Sequence, residues 1–385
     1  MLERPISKAG WTRVRFDQIA RQINDRVDNP AEAGVERYVG LEHLDPDSLR
    51  IRRWGEPTDV ESTKLRFQPG DIIFGKRRVY QRKVAVADFE GICSAHAMVL
   101  RAKTGAALPE FLPFFMQSDL FMERALSISV GSLSPTINWK ALAAEEFLLP
   151  PIQEQARLVE ASLAIEGTVN TYREKIETLS GLRMSFLNDH FLPRLKSGVP
   201  LKSVVSLKSG GTPSRSNAAF WGGGLPWASG KDLKVRLLND TEEHLTELGW
   251  GAAKIAPKGA TLVVVRGMIL AHTFPVSVAA KPMAFNQDLR ALVAGRKIRP
   301  EYLTAWAEWM GPWFLSRTAE SSHGTKRLES QTVEMALIPV EDHGAQDDFI
   351  RADEKILLEI RAASARLGAI SGLKKRFLNE IASVE

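Results

Sequence analysis

Ile176-Glu-Thr-Leu-Ser-Gly-Leu-Arg-Met-Ser-Phe-Leu-Asn-Asp189 returns 191 residues later as Leu367-Gly-Ala-Ile-Ser-Gly-Leu-Lys-Lys-Arg-Phe-Leu-Asn-Glu380. The same spacing links Pro109-Glu-Phe-Leu112 to Pro300-Glu-Tyr-Leu303, and Gln155 to Gln346. Three echoes in one register mark a tandem duplication. Around the quoted stretch, Leu158, Ile165, Tyr172, Leu179 and Phe186 recur every seven residues, with Val169, Ile176 and Leu182 read onto the same stripe. In the second copy Phe349, Ile356, Ala363, Ile370 and Phe377 repeat that period, joined by Ile360, Leu367 and Leu373. Apolar residues every seven, with charges between them, predict helices that each offer a narrow seam to another helix. Two amphipathic helices packing only on their own domains is the alternative. Mutual pairing is preferred because both seams persist over four heptads. A helix over residues 152–192 would be roughly 60 Å long.

The rest of the chain divides around these helices. Segments 1–150 and 196–340 are expected to be two tandem, mostly-β domains of an α+β protein, followed by long helices over 151–195 and 341–385. The 385 residues, with ordinary hydrophobic content, can carry cores of that number. One cysteine, Cys93, leaves no internal disulfide and no cysteine-built zinc site, and is expected to be a small buried apolar residue. The first ten residues hold no apolar run and carry Glu3, so no signal peptide is expected. The longest apolar runs are too short for a membrane span. A cytoplasmic protein is expected.

Net charge is +5, and its distribution says more than its size. Between residues 64 and 83 seven Lys or Arg stand against the single acid Asp71, and a second basic run covers 202–236. A run of like charge is usually a solvated face; one in each half favours a polyanion partner. In the first domain, turn chemistry at Phe67-Gln-Pro-Gly-Asp71 delivers an apolar strand, and Gly75-Lys-Arg-Arg-Val-Tyr-Gln-Arg-Lys83 follows. That segment is an exposed hairpin tip or a DNA-contacting one: Lys76, Arg77, Arg78, Arg82 and Lys83 for phosphates or guanine edges, Tyr80 and Gln81 among the bases. Residues 109–127 are apolar at helical spacing. The hydroxyl-rich loop after them offers Ser132, Ser134, Thr136 and Asn138 to phosphate oxygens, unless it is a mere connection. In the second domain the candidates are Thr212, Ser214, Arg215, Ser229, Lys231, Lys326 and Arg327. Trp221 and Trp227 are expected to be core or platform residues. The glycines near 210 and 222 show neither Walker spacing nor a dinucleotide fingerprint. The long helix is expected to close near 188–194, with Pro193 just beyond it.

Gly210-Gly-Thr-Pro-Ser214, Trp221-Gly-Gly-Gly-Leu-Pro-Trp-Ala-Ser229, Gly70-Asp-Ile-Ile-Phe74, Leu149-Pro-Pro-Ile-Gln-Glu-Gln155 and Gly181-Leu-Arg-Met-Ser-Phe-Leu187 together resemble the specificity (S) subunits of type I restriction–modification systems. Each motif is weak alone; their order and the half-and-half organisation are specific. The resemblance implies two target-recognition domains, each reading one half of a bipartite double-stranded DNA site. It implies that the long helices pair as an antiparallel coiled coil with pseudo-twofold symmetry and set the unread gap. Two methyltransferase subunits would dock around the helices, touching Pro151, Glu154, Gln155, Phe186 and Phe377, and would bring S-adenosylmethionine; this chain itself would need no cofactor or metal. A motor-nuclease subunit would complete a restriction enzyme. No Asn/Asp-Pro-Pro-aromatic tetrapeptide for a flipped base and no nucleophile–base signature is found, so a non-catalytic subunit is expected. The alternatives are a DNA-binding scaffold and a self-contained DNA-modifying enzyme with an unrecognised site. One departure from the pattern is the junction at residues 340–346, which lacks the Pro-Pro and Glu-Gln pairs.

Overall fold

The computed structural model describes residues 8–103, 105, 107–320 and 325–382. Residues 1–7, 104, 106, 321–324 and 383–385 lie outside them. The chain forms two compact units, residues 1–174 with 364–385 and residues 175–363. These cut across the segments read from the sequence, because each unit takes one half of each long helix, Ile152–Arg194 and His343–Glu380.

In the first unit, strand Ile72–Gly75 lies between Ala97–Ala102 and Val84–Val86 in a four-stranded antiparallel sheet closed by Ala20–Ile23. A second four-stranded sheet orders Arg26–Val27, Lys64–Phe67, Gly91–Ser94 and Tyr38–Val39, the last pair parallel. The apolar run at 109–127 is two helices rather than one, Phe111–Met116 and Asp119–Ser127. The break falls at Ser118, whose hydroxyl caps the second helix through Phe121 N. Phe16, Phe74, Phe111, Phe115, Phe121 and Phe147 fill the core between sheet and helices. Cys93 is fully buried, and burial pushes its thiol up to about 12.

The second unit repeats this plan. Strand Thr261–Val264 lies between Leu289–Ala294 and Val276–Ala279 in a five-stranded sheet. Strands Trp221–Ala228 and Met283–Phe285 run parallel, as Tyr38–Val39 and Gly91–Ser94 do in the first unit. Tyr302, Leu303, Trp306 and Phe314 form the core around helix Pro300–Trp309.

The long-helix seams differ from the sequence reading in two ways. Leu182 and its counterpart Leu373 are exposed rather than seam residues. The seam position beside each is held by a cation, Arg183 or Lys374. A heptad seam alternates steps of three and four, and from Leu179 the step of four reaches Arg183, not Leu182. Within the second unit Arg183 bonds Asp353 (2.6 Å) and Glu308. Within the first unit Lys374 meets Glu166 at 2.6 Å and donates to Asp47 O. The helix ends also enter the unit cores: Leu187 and Phe191 in the second unit, Leu378, Ile381 and Ala382 in the first. Pro193 sits inside the last turn of its helix, not beyond it. There it forfeits one backbone bond at a terminus where few remain to lose.

Gln155 and Gln346 make the same bonds in the two units. Gln155 Oε1 accepts from Leu108 N (2.8 Å) and Nε2 donates to Pro150 O (2.8 Å). Gln346 Oε1 accepts from Arg299 N and Nε2 donates to Lys297 O and Glu341 O, all at 2.8 Å. Both carboxamides are fully buried. Gln155→Leu keeps the size and strands two backbone groups, so a loss of about 2–4 kcal/mol in chemical denaturation is expected. Asp353→Ala, which leaves Arg183 buried beside Glu308 alone, is expected to cost about 3 kcal/mol in the same measurement.

Candidate nucleic-acid interface

In the first unit the basic segment is a tight turn rather than an open hairpin tip. Strand Ile72–Gly75 leads into a 3-10 turn, Val79–Gln81, bounded by Arg78 and Arg82, both left-handed (φ 57° and 54°). Val79 is the buried anchor, which leaves Arg78 and Tyr80 exposed. The hydroxyl-rich loop lies directly against this turn: Arg78 N donates to Pro135 O (2.8 Å) and Ile137 N to Lys76 O (3.0 Å). The guanidinium groups of Arg77 and Arg78 both reach Ser134 Oγ at 3.4 Å. Two stretches that the sequence offers separately therefore form one basic, hydroxyl-bearing edge.

The candidates on this edge are not equivalent. Arg77 and Arg78 present cationic heads beside Ser134, and Ser132 is exposed on the same loop. Lys76 is half-buried, and desolvation lowers the affinity of its amine for a proton. Gln81 is half-buried. Arg82 is spent inside the unit, on Asp47 (2.7 Å), Asp119 (2.9 Å) and Gln117 O (2.6 Å). Lys83 donates to Leu41 O (2.6 Å). Thr136 Oγ1 donates to Ser134 O, and Asn138 Oδ1 caps helix Trp139–Ala144 by accepting from Lys140 N. Lys76, Thr136 and Asn138 line a cleft of about 460 Å³ with Gln22 and Trp139.

One neighbour was not among the sequence candidates. His96 Nε2 lies 3.0 Å from Arg77 Nη1; burial first, then Arg77 and Lys76, lower its affinity for a proton. Its counterpart in the second unit is Asp288, whose carbonyl accepts from Arg266 N as that of His96 accepts from Arg77 N.

In the second unit the edge gathers where strands Trp221–Ala228 and Met283–Phe285 end. Thr212 Oγ1 donates to Gln287 Oε1 (2.6 Å). Asp288 holds Arg266 at 2.6 Å, and Arg266–Gly267 pairs with Lys326–Arg327 in a small sheet. Gly210 must be glycine here: a Cβ would lie 2.0 Å from Asn286 O. That close approach accounts for the Gly-Gly preceding Thr212. Arg215 is sandwiched by chemistry: its guanidinium lies 3.7 Å from the centroid of Trp221 and pairs with Glu243. The bond from Arg215, foremost, holds the Glu243 carboxyl below its usual range. Trp221 and Trp227 form an edge-to-face platform at 5.1 Å, with Trp227 buried. Ser214 bonds Ser216, and Ser229 is turned onto Asp232. Lys326 reaches Glu320 at 3.4 Å, while Lys231 and Arg327 are exposed. Arg266, Gln287 and Asp288 were missed by the sequence reading; matching Gly259 to Gly70, the glycines that open the two central strands, would have put Arg266 at the place of Arg77.

The residues expected to touch partner subunits divide similarly. Pro151 is exposed and Glu154 half-buried, whereas Gln155 is enclosed in its unit. Phe186 stacks on Phe349 at 5.2 Å, and Phe377 packs into the first core. Among the described residues no group of three or more His, Cys, Asp or Glu is placed to hold a metal ion, and no helix is long and apolar enough to cross a membrane.

Fold and edges together define a duplicated α+β protein with one basic, hydroxyl-bearing edge in each repeat. No protein-family model matches the chain. The type I restriction enzyme EcoR124I/EcoR124II specificity subunit of Escherichia coli is 25% identical to it over 212 residues, 51% of this chain and 52% of that one. The EcoDI specificity subunit of the same organism is 31% identical over 194 residues, 46% and 41% of the two chains. The chain thus spans about half, or less, of the length of these curated relatives. The S subunit of a type I restriction–modification system from M. genitalium shares the fold with a TM-score of 0.57 at 14% identity, over 100% of this chain and 98% of that one. A chain from a type I R-M system structure does so with a TM-score of 0.53 at 21% identity, over 99% of each. The chain is a relative of the type I restriction enzyme specificity subunits and has their fold.

The edge makes unlike predictions for neighbouring arginines. Arg82→Ala should lower stability by about 2 kcal/mol in denaturant titration. Arg78→Ala should leave stability within about 0.5 kcal/mol, as expected for an exposed side chain.

Proposed function

We propose that this chain is the DNA-reading, non-catalytic specificity subunit of a type I restriction–modification complex. One observation carries the reading: in both repeats, the loop after the central strand and the loop before the long helix meet as a basic edge. Cationic heads and hydroxyls side by side suit phosphate oxygens and base edges, and neither needs a catalytic group. A duplicated reader suits a bipartite double-stranded DNA site, one part per repeat. The basic groups we assign to the contact are Arg77, Arg78 and Lys76 with Tyr80 in the first repeat, and Arg215, Lys231, Lys326 and Arg327 in the second.

The two long helices pair antiparallel as a coiled coil. This is supported within each unit by partners whose numbers fall on one helix as they rise on the other. In the second unit these are Lys175 with Glu359, Arg183 with Asp353 and Phe186 with Phe349. In the first they are Glu166 with Lys374 and Tyr172 with Arg366. Two methyltransferase subunits dock on the helices, through the exposed Pro151 and the half-buried Glu154 at the first helix start, and supply S-adenosylmethionine. A motor-nuclease subunit acts with them where restriction accompanies methylation. The assembly works in the cytoplasm.

The test is to co-express the chain with its methyltransferase and map methylated adenines by single-molecule sequencing. Two short specific parts around a fixed unread gap are expected; sequence-independent or absent methylation sinks the proposal. Affinity for duplex DNA should fall steeply with salt, and Arg78→Ala should reduce the slope of log K against log salt by about 1.

A further inference from the structure

Both edges carry an apolar side chain that their own units leave in solvent. In the first unit, Val130 and Thr136 exchange both backbone hydrogen bonds at 3.0 Å, closing a small hairpin. Gly131 makes its turn with φ 113°. Leu133 stands at the tip, 91% exposed, the most exposed large hydrophobic side chain among the described residues. The tip is held where it is by Arg78 N on Pro135 O and by the Arg77 and Arg78 contacts to Ser134 Oγ. The second unit has its own version: Met268, 69% exposed, directly follows Arg266–Gly267. Arg77 N bonds His96 O and Arg266 N bonds Asp288 O, so Arg266 is the counterpart of Arg77 and Met268 stands two residues beyond it on the second edge.

A leucine fixed between arginines and serine hydroxyls gains nothing from a phosphate, which has no apolar surface. On nucleic acid it can lose its water only against a thymine methyl or the face of an unstacked base. We propose that Leu133, and Met268 in the second unit, are specificity-determining residues that contact the apolar surface of a base in the half-site their unit reads. This rests on the DNA-reading function above. It adds that part of the sequence readout is van der Waals contact from these two tips, rather than hydrogen bonding by the arginines alone.

The test uses the full chain, with its methyltransferase, against a randomised pool of duplex DNA. Wild type should enrich a two-part motif. Leu133→Ser, at so exposed a site, should fold normally, lose preference at one or two positions of one part only, and bind the wild-type site about tenfold more weakly. Its salt dependence should match wild type, because no phosphate contact is lost. Met268→Ser should do the same to the other part. Two duplex probes then locate the contact. Replacing thymine by deoxyuridine at the affected position should reproduce the loss with wild type and add nothing to Leu133→Ser if the methyl is read. A rise in 2-aminopurine fluorescence on binding marks an opened step instead. An unchanged motif and affinity for both variants, or an equal loss on all sequences, overturns the proposal while leaving the DNA-reading function intact. Loss of the methyltransferase with DNA binding unchanged would make the tips protein contacts and overturns it too. A wild-type chain that enriches no motif overturns the DNA-reading function itself.

Discussion

Each repeat depends on one buried carboxamide. Gln155 and Gln346 sit in the first turn of their long helices, with both ends of the amide bonded to backbone at 2.8 Å. A glutamine offers one acceptor and two donors in a fixed plane. Here the acceptor takes the backbone N–H at the start of the preceding helical segment, and a donor takes the carbonyl of the chain entering the long helix. Without that side chain these backbone groups would be buried and unpaired, which costs more than the bonds themselves contribute. The long helix therefore leaves its unit in a set direction. Everything on its seam follows from that direction.

Along the seams, the two repeats solve one electrostatic problem with different partners. Arg183 and Lys374 are counterparts, yet one pairs with Asp353 and Glu308 and the other with Glu166. A buried pair contributes little beyond its desolvation, but a buried cation without its acid is strongly unfavourable. Unlike pairs thus specify register more than they add stability. The guanidinium also suits the two-acid setting, since it can bond Asp353 through two nitrogens and Glu308 as well.

The edges show the same economy. Of the basic run in the first repeat, Arg82 and Lys83 hold the turn together, and Arg77 and Arg78 present their heads beside Ser134. In the second repeat Arg215 is stiffened by Trp221 and Glu243, so an exposed guanidinium loses little further freedom on meeting a partner. Rigid tips, rather than the amount of charge, distinguish these edges from an ordinary solvated face.

Several of these features were legible in the sequence by itself. The 191-residue repeat, the heptad stripe and the basic stretch before Tyr80 are local patterns, and local patterns survive without coordinates. Matching Gly259 to Gly70 would likewise have named Arg266 from Arg77. Only the tertiary structure decided which residues share an edge. Ser134 and Arg78 are far apart in sequence but bonded in space, and a Gly210 Cβ is forbidden only because Asn286 passes beside it. It also decided that Leu182 faces solvent while Arg183 turns inward onto Asp353, since a seam depends on what lies opposite as well as on spacing. Sequence periodicity records the geometry of one helix; burial and charge pairing belong to two elements at once, and so appear only when the chain is folded.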